Sequence, residues 1–507
     1  MQQIESRLFE AGMPVAALME KVAGQIVQVV TEQYPRSRSA RGQLSVGILV
    51  GPGHNGGDAL VVGRELHFRG YEVRVFQPLS QLKPLTQQHA QYVRSLGIAF
   101  TAAITDLQHC DLIVDGLFGF GLDRPLAGDV AAAVDQINRW QLPVVSIDLP
   151  SGLGSDRGEV MGTALRATIT CCLGLWKRSF VQDAALEFIG KPLLIDFDIP
   201  LADIQAVLGE NLQTQRLVNG AAIARLPLPR PAAAHKYKAG HLLLIAGSSR
   251  YSGAAILSGL GARASGVGML SIAVPESLRP ILVAQHPEAL IVGCPETDSG
   301  AIARLPNGTD LSTFSAVAIG PGLTLEAQPL VEHCLESDRP LLLDADGLNC
   351  LAALDPIKIL GQRQAATVLT PHPGEFQRLF PDILAAAADA GEAAQTAAQK
   401  TRAVIVLKGA RTAIAHPSPR LWFNPESTPA LARGGSGDVL TGLVGGLMAQ
   451  HLAASGSEDR QAVLDATLSG VWWHAQAGIL AAQEKTDLGV DPTTLAAYLT
   501  PALRRHL

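Results

Sequence analysis

The chain has 507 residues, of which 47% are hydrophobic and 17% are charged, and its formal net charge is −6. This length predicts two large domains or about three average ones, and the negative charge argues against a nucleic-acid partner. The six cysteines include no Cys-x-x-Cys pair, which argues against a disulfide framework. The start of the chain lacks the pattern of a signal peptide, and no run of about 18 apolar residues predicts a membrane span, so we expect a cytoplasmic protein.

The first half of the chain alternates predicted strands and helices around glycine-rich turns. Apolar residues recur at helical spacing over 1–34 and predict one helix there. The apolar stretch 44–50 predicts a strand that runs into GPGHNGGD at 51–58, and a helix is predicted over 59–68. Strand, glycine-rich turn and helix is a layout typical of dinucleotide-binding folds, although the spacing is not Gly-x-Gly-x-x-Gly and such turns are common in α/β proteins.

Several polar residues in this half follow predicted strands. Because the carboxyl ends of parallel strands share one edge of a sheet, we expect Asp58, Asp115, Asp148 and Ser151 to converge. Such oxygens suit a cation or the hydroxyls of a sugar. The alternative is that each Asp caps its own turn. Lys177 ends a further predicted strand and is either a cationic, proton-transferring group or a merely solvated one.

The second half repeats the α/β pattern after a boundary region. An edge strand is predicted at 193–200, and a proline-rich stretch without periodicity predicts a linker near 212–234. An alanine-rich stretch at 383–399 predicts a surface helix, and residues from 463 onward predict further helices. Predicted strands that lead into small or polar turns lie at 241–246, 317–319, 340–346, 366–370 and 403–407.

The turn GGSGD at 434–438, followed by an apolar helix, is the most informative motif of this half. Glycines at a helix start expose backbone N–H groups and make an anion site. Asp438 beside a bound phosphate predicts a base that takes a proton from a hydroxyl while a phosphoryl group arrives; the alternative is a helix cap. Lys408 and Gly409 could meet a phosphate or form an ordinary turn, and His372 between two prolines suits substrate contact or a structural role.

Taken together, these motifs resemble the bifunctional NAD(P)H-hydrate repair enzymes, which fuse an epimerase domain to an ADP-dependent (S)-NAD(P)H-hydrate dehydratase domain. In the first half the matching motifs are HNGGD at 54–58, Asp115 with Gly119-Phe120-Gly121, and DLPSG at 148–152. In the second half they are Gly253-Ala254, GPG at 320–322, TPHPGE at 370–375, Lys408-Gly409 and GSGD at 435–438. One Gly-x-Gly-Asp is a weak signal, but the ordered set covers nearly the whole chain and is specific.

The resemblance implies an α/β protein of two domains. A Rossmann-like epimerase domain is expected at 1–213, and a ribokinase-like dehydratase domain is expected at 220–507. The first would interconvert the R and S forms of NAD(P)H hydrate, and the second would dehydrate the S form at the expense of ADP, giving AMP and phosphate. The implied cofactors are K⁺ for the epimerase and Mg²⁺ with ADP for the dehydratase, and we expect a homo-oligomer.

The same resemblance implies a role for individual residues. The hydrated nucleotide would be held in the first domain by His54, Asn55, Gly56, Gly57, Asp58, Gly119, Phe120, Gly121, Leu122, Asp123, Arg124, Pro125 and Asp148. K⁺ would be ligated by Asn55, Asp115 and Ser151. The hydrate would contact Ala254, Gly322, His372 and the catalytic base Asp438. The adenine nucleotide would be held by Lys408, Gly409, Ala410, Arg411, Thr412 and Gly437.

Three residues depart from the family pattern. His54 replaces the first Asn of its motif, Tyr237 stands where Gly is usual, and Arg411 sits inside the nucleotide loop, where it could contact phosphate or point outward. Asp148 and Lys177 are candidate proton carriers of the epimerase. The alternatives are a small-molecule hydroxyl kinase with an accessory non-catalytic nucleotide-binding domain, and a non-catalytic nucleotide-binding or partner-binding module, especially for the first domain.

Overall fold

The computed structural model describes residues 1–36, 43–210, 212–230, 232–456 and 458–507, and it divides the chain into two compact units. The first unit is Met1–Leu212 and the second is Gln213–Leu507. Each unit has its own sheet and its own hydrophobic core. Within the described part of the chain, none of the helices combines the length and the apolar character that crossing a membrane requires.

In its described residues, the first unit is built on one parallel sheet. Its strands are β1 (Ser45–Val50), β2 (Glu72–Phe76), β3 (Ala99–Thr101), β4 (Leu112–Gly116), β5 (Val144–Ile147), β6 (Ile169–Leu173) and β7 (Lys191–Ile195). Their order across the sheet is β3-β2-β1-β4-β5-β6-β7, and neighbouring strands are parallel. The order reverses between β1 and β4, which is the switch point where open α/β sheets bind ligands.

Helices cover both faces of this sheet. They are α1 (Gln2–Glu10), α2 (Val15–Gln33), α3 (His54–Phe68), α4 (Pro84–Ser95), α5 (Gly128–Trp140), α6 (Leu186–Ile189) and α7 (Leu201–Leu208). Ile48 of β1 belongs to a core shared with α2 and α3, whereas the next residue, Leu49, belongs to a core shared with α5. Because both faces are covered, the central strands are continuous apolar runs rather than alternating ones.

Three predicted elements of the first unit have different bounds in the structure. The single helix predicted at 1–34 is wrong, since Gly12 has a φ of +100° and Pro14 precedes α2, which separates it from α1. The helix predicted from 59 begins at His54, so the residues expected as a turn form the first turn of α3. The edge strand predicted at 193–200 ends at Ile195.

The second unit is built on a larger mixed sheet. Its strands are β8 (Thr214–Arg216), β9 (His241–Ile245), β10 (Met269–Pro275), β11 (Leu290–Cys294), β12 (Ala316–Ile319), β13 (Leu341–Leu343), β14 (Thr367–Leu369), β15 (Val404–Leu407), β16 (Ala413–Ala415) and β17 (Leu421–Phe423). Their order is β11-β10-β9-β12-β13-β14-β15-β16-β17-β8, with antiparallel pairing from β15 to β17. This sheet also has a switch point, between β9 and β12.

The helices of the second unit enclose its sheet. They are α8 (Asn219–Ile223), α9 (Ser252–Ala264), α10 (Arg279–Gln285), α11 (Gln328–Glu336), α12 (Ala345–Ala352), α13 (Pro356–Gln362), α14 (Pro373–Leu379), α15 (Pro381–Ala386), α16 (Ala390–Thr401), α17 (Ser436–Ser455), α18 (Arg460–Lys485) and α19 (Pro492–His506). Helix α17 is buried along most of its length. A Cβ at Gly442 would lie 1.8 Å from the Ser258 carbonyl oxygen, so this glycine lets α17 pack directly on α9.

Two sequence predictions for the second unit are corrected by the structure. Part of the predicted linker at 212–234 belongs to the fold, because β8 pairs with β17 and Ala222 of α8 is buried in the core. The second unit therefore begins before residue 220. The predicted alanine-rich surface helix is instead the pair α15 and α16, and Ala393 and Ala397 of α16 are fully buried because their small side chains allow close packing.

Candidate active sites

The first candidate site lies at the carboxyl edge of the first sheet, beside its switch point. A cavity of about 490 Å³ opens there. The residues of the predicted site that line it are His54, Asn55, Asp58, Gly119, Phe120, Gly121, Leu122 and Asp148. The structure thus brings three separate stretches of the chain to one cavity. This volume and position suit a small-molecule ligand.

The remaining predicted residues of this site lie beside the cavity rather than in its lining. Gly56 is a packing residue, since a Cβ there would lie 2.0 Å from the Gly51 carbonyl oxygen. Gly57 faces Met19 of α2, whose Cε would lie 2.6 Å from an added Cβ. The predicted residues that follow Leu122 are exposed on its loop: Asp123, Arg124 and Pro125.

Asp115, at the end of β4, is fully buried and heavily hydrogen bonded. Its carboxylate accepts bonds from Ser151 Oγ (2.6 Å), Ser151 N (2.9 Å), Ser146 Oγ (2.9 Å) and Leu117 N (3.2 Å). Burial raises the pKa of Asp115, and the bonds from Ser151 lower it in part. Asn55 lies in the first turn of α3, and its buried side-chain nitrogen, Nδ2, has no hydrogen-bond partner among the described residues.

Carboxylate, hydroxyl and amide oxygens suit a hard cation, and the carboxylate of Asp115 and the hydroxyl of Ser151 are buried together here. Oxygen donors of this kind fit an alkali cation better than a soft transition metal. Among the described residues, no cluster of three or more His, Cys, Asp or Glu side chains could hold a metal ion.

Asp148 and Lys177 form a buried ion pair at this site. Asp148 is 2% exposed and has a φ of +68°, a strained conformation of the kind that persists at functional sites. Its carboxylate also accepts a hydrogen bond from Phe120 N at 2.9 Å. Burial lowers the pKa of Lys177, but Asp148, Cys172 and Glu5 together raise it by more, so the net direction is upward. The structure therefore gives Lys177, a sequence candidate, a specific partner.

The sequence analysis missed Glu5, a further carboxyl residue that lines this cavity. Its pKa is raised by burial and then by Asp148. Asp58 is fully enclosed, and burial, Asp148 and Glu5 together hold its pKa well above the ordinary range. The spacing of polar residues in α1 could have indicated that one face of this helix meets a ligand.

The second candidate site lies at the amino terminus of α17. Gly435 precedes the helix with a φ of +97°, in the left-handed region that favours glycine, and Ser436, Gly437 and Asp438 form its first turn. The first N–H groups of a helix have no partner within it, so they are available to an anion. The sequence analysis predicted the turn at 434–438 before a helix, but its last three residues already belong to the first turn of α17.

Asp438 is half-buried in this first turn. Burial and the neighbouring carboxylate of Asp344 raise its pKa to about 7, although Lys408 opposes the shift. A carboxyl group with a pKa near neutrality can take a proton from a hydroxyl and release it again.

Asp344 joins the elements around Asp438, and the sequence analysis did not include it among the site residues. It lies after β13 and is 2% exposed. Its carboxylate accepts hydrogen bonds from Lys408 Nζ (2.8 Å), Thr370 Oγ1 (2.8 Å) and Thr441 Oγ1 (2.7 Å). Burial lowers the pKa of Lys408, but Asp344 and Glu375 raise it by more. A buried lysine is thereby held as a cation beside the helix start.

Gly437 lies directly beside this cation. A Cβ at Gly437 would be 3.4 Å from Lys408 Nζ and 3.6 Å from Asp344 Oδ2. The predicted nucleotide residues that follow Lys408 occupy the turn between β15 and β16: Gly409, Ala410, Arg411 and Thr412. Within that turn Arg411 Nη1 donates to the Ala410 carbonyl at 3.1 Å, and Thr412 Oγ1 donates to the Gly409 carbonyl at 3.2 Å.

His372 is the N-cap of α14. Its Nδ1 accepts hydrogen bonds from Gly374 N (3.0 Å) and Glu375 N (3.3 Å), and the Glu375 side chain accepts from His372 N, which completes a capping box. The His372 side chain is nevertheless 52% exposed, and its Nε2 lies 3.4 Å from Glu375 Oε1. The structure thus gives this residue a structural role and leaves one ring edge for a ligand.

Ala254 and Gly322 lie together beside the second switch point. Gly322 has a φ of +66°, and a Cβ there would lie 2.8 Å from the Cβ atoms of both Ala254 and Tyr251. Tyr251 is 45% exposed, so an aromatic ring borders these two small residues. Their proximity leaves no room for a larger side chain at position 322.

His474 is a second residue that the sequence analysis missed. It lies on α18, is buried, and its Nε2 is 2.9 Å from the Ser436 carbonyl oxygen in the first turn of α17. Burial lowers the pKa of His474 to about 4, so the ring is neutral near pH 7. Since a carbonyl only accepts, Nε2 carries the hydrogen. No local motif marks His474, because its role depends on how two helices pack.

Comparison with known proteins identifies both halves of the chain. A family model described as YjeF-related protein N-terminus matches residues 15–179, and one described as NAD(P)H-hydrate dehydratase matches residues 242–501. The bifunctional NAD(P)H-hydrate repair enzyme Nnr of Thermosynechococcus vestitus is 51% identical over 100% of this chain and 97% of that protein. The enzyme of the same name from Synechocystis sp. is 53% identical over 100% of this chain and 94% of that protein.

Among solved structures, the chain is similar to the ADP/ATP-dependent NAD(P)H-hydrate dehydratase from Bacillus subtilis that was co-crystallised with ATP and Mg²⁺. The two are 33% identical, with a TM-score of 0.49, over 59% of this chain and 100% of that one.

Proposed function

We propose a residue-level mechanism for this chain, which belongs to the family of bifunctional NAD(P)H-hydrate repair enzymes. The chain is an NAD(P)H-hydrate epimerase and an NAD(P)H-hydrate dehydratase. Its substrates are therefore nicotinamide nucleotides that have gained water across the ring. The residues that perform each reaction, the phosphoryl donor and the bound cations form the proposal.

In the dehydratase unit, Asp438 takes the proton of the ring hydroxyl while the hydroxyl oxygen attacks the terminal phosphorus of ADP and AMP leaves. Hydroxide is a poor leaving group, but the phosphate now attached to carbon six departs readily as the ring nitrogen donates its electron pair. Loss of a proton from the neighbouring carbon restores NAD(P)H. The N–H groups of the α17 start hold the transferring phosphoryl group as charge develops.

The observation that carries this assignment is the placement of Asp438 in the first turn of α17, between Asp344 and the cationic Lys408. A base with a pKa of about 7 thus adjoins both an anion-binding helix terminus and a fixed positive charge. The N-cap position of α17 is occupied by Gly435, and Asp438 lies three residues further on, so Asp438 is not the N-cap residue of this helix.

The remaining groups of this unit divide between the two ligands. Lys408, Gly437 and the turn from Gly409 to Thr412 hold the adenine nucleotide, and Ala254, Gly322 and the outer edge of His372 contact the hydrate. The carboxylate of Asp344 fits Mg²⁺, which binds proteins through one or two carboxylates together with nucleotide phosphates. When bound, Mg²⁺ supplies charge neutralisation for those phosphates.

In the epimerase unit, the cavity beside Asp148 holds the hydrated nucleotide. The oxygen groups of Asn55, Asp115 and Ser151 fit K⁺, which supplies a positive charge near the nucleotide phosphates when bound. The buried carboxylate of Asp115 and hydroxyl of Ser151, which lie 2.6 Å apart, support this assignment. Asp148 lines the cavity and acts as an acid–base residue of this unit, and Lys177 pairs with it.

The test uses the purified full chain with the S hydrate of NADH, Mg²⁺ and either ADP or ATP. NADH formation is followed by absorbance, and the released nucleotide is identified. We expect Asp438→Asn to lower this rate at least about 1,000-fold, because the general base is lost, while R-to-S conversion is unchanged.

The exposed residue Asp382 provides a matched control, since Asp382→Asn removes a carboxylate from the first turn of a different helix, α15, and should leave the rate unchanged. A normal dehydration rate in the Asp438 variant would refute its role as the base. Accumulation of a stable phosphorylated product would instead show that the unit stops at a kinase step.

A further inference from the structure

Helix α1 presents one of its faces to the cavity of the first unit. The residues of α1 that line the cavity lie on one helical stripe: Gln2, Glu5, Ser6 and Phe9. Ile4 and Leu8, on another face of the same helix, are buried in the protein. Glu5 is therefore the only carboxyl group that the described part of α1 turns toward the cavity.

The position of α1 is fixed by tertiary contacts. Ile4 is fully buried, and Arg7 Nε lies 2.9 Å from Asp203 Oδ1 of α7. The backbone reversal at Gly12 then leads into α2, which contributes to the same cavity wall. Glu5 is thus held at a defined place by an anchored helix.

The charges around Glu5 are unbalanced. Burial raises its pKa and Asp148 raises it further, while Lys177 and the amino terminus oppose the shift. The titratable groups that line the cavity or lie beneath it are Glu5, Asp58, Asp148, His54, Lys83 and Lys177. Burial, followed by the charge of Lys83, lowers the pKa of His54, so this residue adds little positive charge. Because burial is the largest of the effects on Glu5, their balance favours a proton on this residue.

We propose that Glu5 is a catalytic proton carrier of the epimerase and works with Asp148 on the ring hydroxyl of the hydrate. This inference rests on the proposed function of the first unit, and it adds the second acid–base residue that inversion at one carbon requires. Both carboxyl groups line the same cavity, and each comes from a different element.

The reaction balances with these two groups. Glu5 gives its proton to the hydroxyl at carbon six, the carbon–oxygen bond breaks, water leaves, and the ring nitrogen's electron pair forms a carbon–nitrogen double bond. A water molecule then adds to the opposite face of that carbon, and Asp148 accepts its proton. Transfer of a proton from Asp148 back to Glu5 through solvent restores the starting state, and the reverse sequence interconverts the epimers in the other direction.

Glu5 is better placed for this role than Asp58. Asp58 is only 7% exposed, whereas Glu5 is half-buried and can exchange its proton with solvent after each turnover. Asp58 also lies on α3 near the groups that we assign to K⁺.

The experiment measures both activities of the full-length chain on separate epimers of NADH hydrate. Conversion of the R form to the S form is followed by chromatography, above the rate without enzyme. Dehydration of the S form with ADP and Mg²⁺ serves as an internal measure of an intact second unit. We expect Glu5→Gln to lower kcat for R-to-S conversion about 100-fold or more and to leave dehydration unchanged.

Two further variants separate catalysis from packing. Glu10→Gln removes an exposed carboxylate of the same helix that does not line the cavity, and it should retain R-to-S conversion within about threefold of the wild-type rate. Glu5→Asp keeps the acid and should recover part of the lost rate. Thermal unfolding shows whether each variant of the first unit is folded.

The outcomes are distinct. If the wild-type chain does not interconvert the epimers, the proposed function of the first unit fails. If the wild type is active and folded Glu5→Gln keeps its R-to-S rate within about threefold, Glu5 is not a proton carrier and this inference is overturned. In water enriched in ¹⁸O we expect the label in the product epimer, and epimerisation without label would overturn the water-loss step.

Discussion

At the scale of single residues, two features of the surroundings of Asp438 shift its pKa in opposite directions. It is removed from water, which raises its pKa, and it stands near Lys408, which stabilises its charged form. The balance leaves a pKa of about 7, so the residue can be ionised in the resting enzyme and still hold a proton after transfer. Exposed aspartates, with ordinary values near 3.8, are poorer proton acceptors.

This balance predicts the pH dependence of dehydration. Because Asp438 must be ionised to act, we expect kcat/KM for the S hydrate to rise with pH to a plateau above about 7 and to be about 10-fold lower at pH 6. The groups that face Asp438 and shape the curve are Asp344, Lys408 and Asp346. Initial rates at saturating nucleotide from pH 5.5 to about 8.5 provide the measurement.

The raised pKa of Asp438 also makes the free energy of unfolding depend on pH. It contributes stability that is fully present below the ordinary value of 3.8 and is lost as the pH rises through about 7.

A dehydration rate that stays flat between pH 6 and 8, with nucleotide binding unchanged, would argue against Asp438 as the titrating base. Thermal unfolding of the same preparation at each pH is the control, since it shows that the protein stays folded across the range.

At the scale of elements, the start of α17 depends on a residue from the next helix. The N–H groups that face the phosphate belong to a turn whose Ser436 carbonyl is held by His474 of α18. The N–H groups of a helix terminus hold a ligand in a defined position only when the first turn of the helix is itself fixed by its surroundings. His474 is therefore a positioning residue, and its neutral ring adds no charge to the pocket.

We expect His474→Phe to raise the KM for the nucleotide and lower kcat for dehydration about threefold each, because the Ser436 carbonyl loses a donor worth ~1–2 kcal/mol. His474→Gln restores an N–H donor and should recover most of the activity. Steady-state kinetics of both variants with the S hydrate measure the effect. Equal losses in the Phe and Gln variants would show that only the volume of the ring matters.

At the scale of the whole molecule, the candidate active site of each unit lies at one edge of its sheet, and other residues stabilise the fold away from that edge. Arg363 is one of these stabilising residues. It is 8% exposed, and its guanidinium donates to the carbonyl groups of Cys334, Leu335, Ser337 and Arg339 and to Thr367 Oγ1. Burial lowers its pKa to about 10. These bonds join the end of α11 to Arg339, which precedes β13, and to Thr367, the first residue of β14.

Since Arg363 serves the edge opposite to the active site, its loss should affect stability rather than chemistry. We expect Arg363→Met to lower the free energy of unfolding by ~3 kcal/mol or more, because several buried carbonyl groups lose their donor at once. Thermal unfolding measures this change, and dehydration at low temperature should stay near the wild-type rate. Gln362→Ala, at an exposed neighbouring position, is the control, and an unchanged melting temperature for Arg363→Met would contradict the assigned role.

Much of the fold followed from local patterns. The two α/β repeats were predicted, because apolar strands buried on both faces and glycine-rich turns are visible in the sequence itself. The family was also recognised from ordered motifs, and the comparisons confirm it. Errors occurred where a local pattern was incomplete, as at Gly12 and in the predicted linker, where β8 gains its place only by pairing with β17.

The sequence by itself determined the fold class, the family and the acidic strand ends, because these depend on residue order and spacing. Only the tertiary structure decided that Asp344, Lys408 and Asp438 meet, that His474 holds the α17 start, and that Glu5 faces the first cavity. These contacts join residues far apart in the chain, and burial, which sets their pKa values, arises only when the elements pack together.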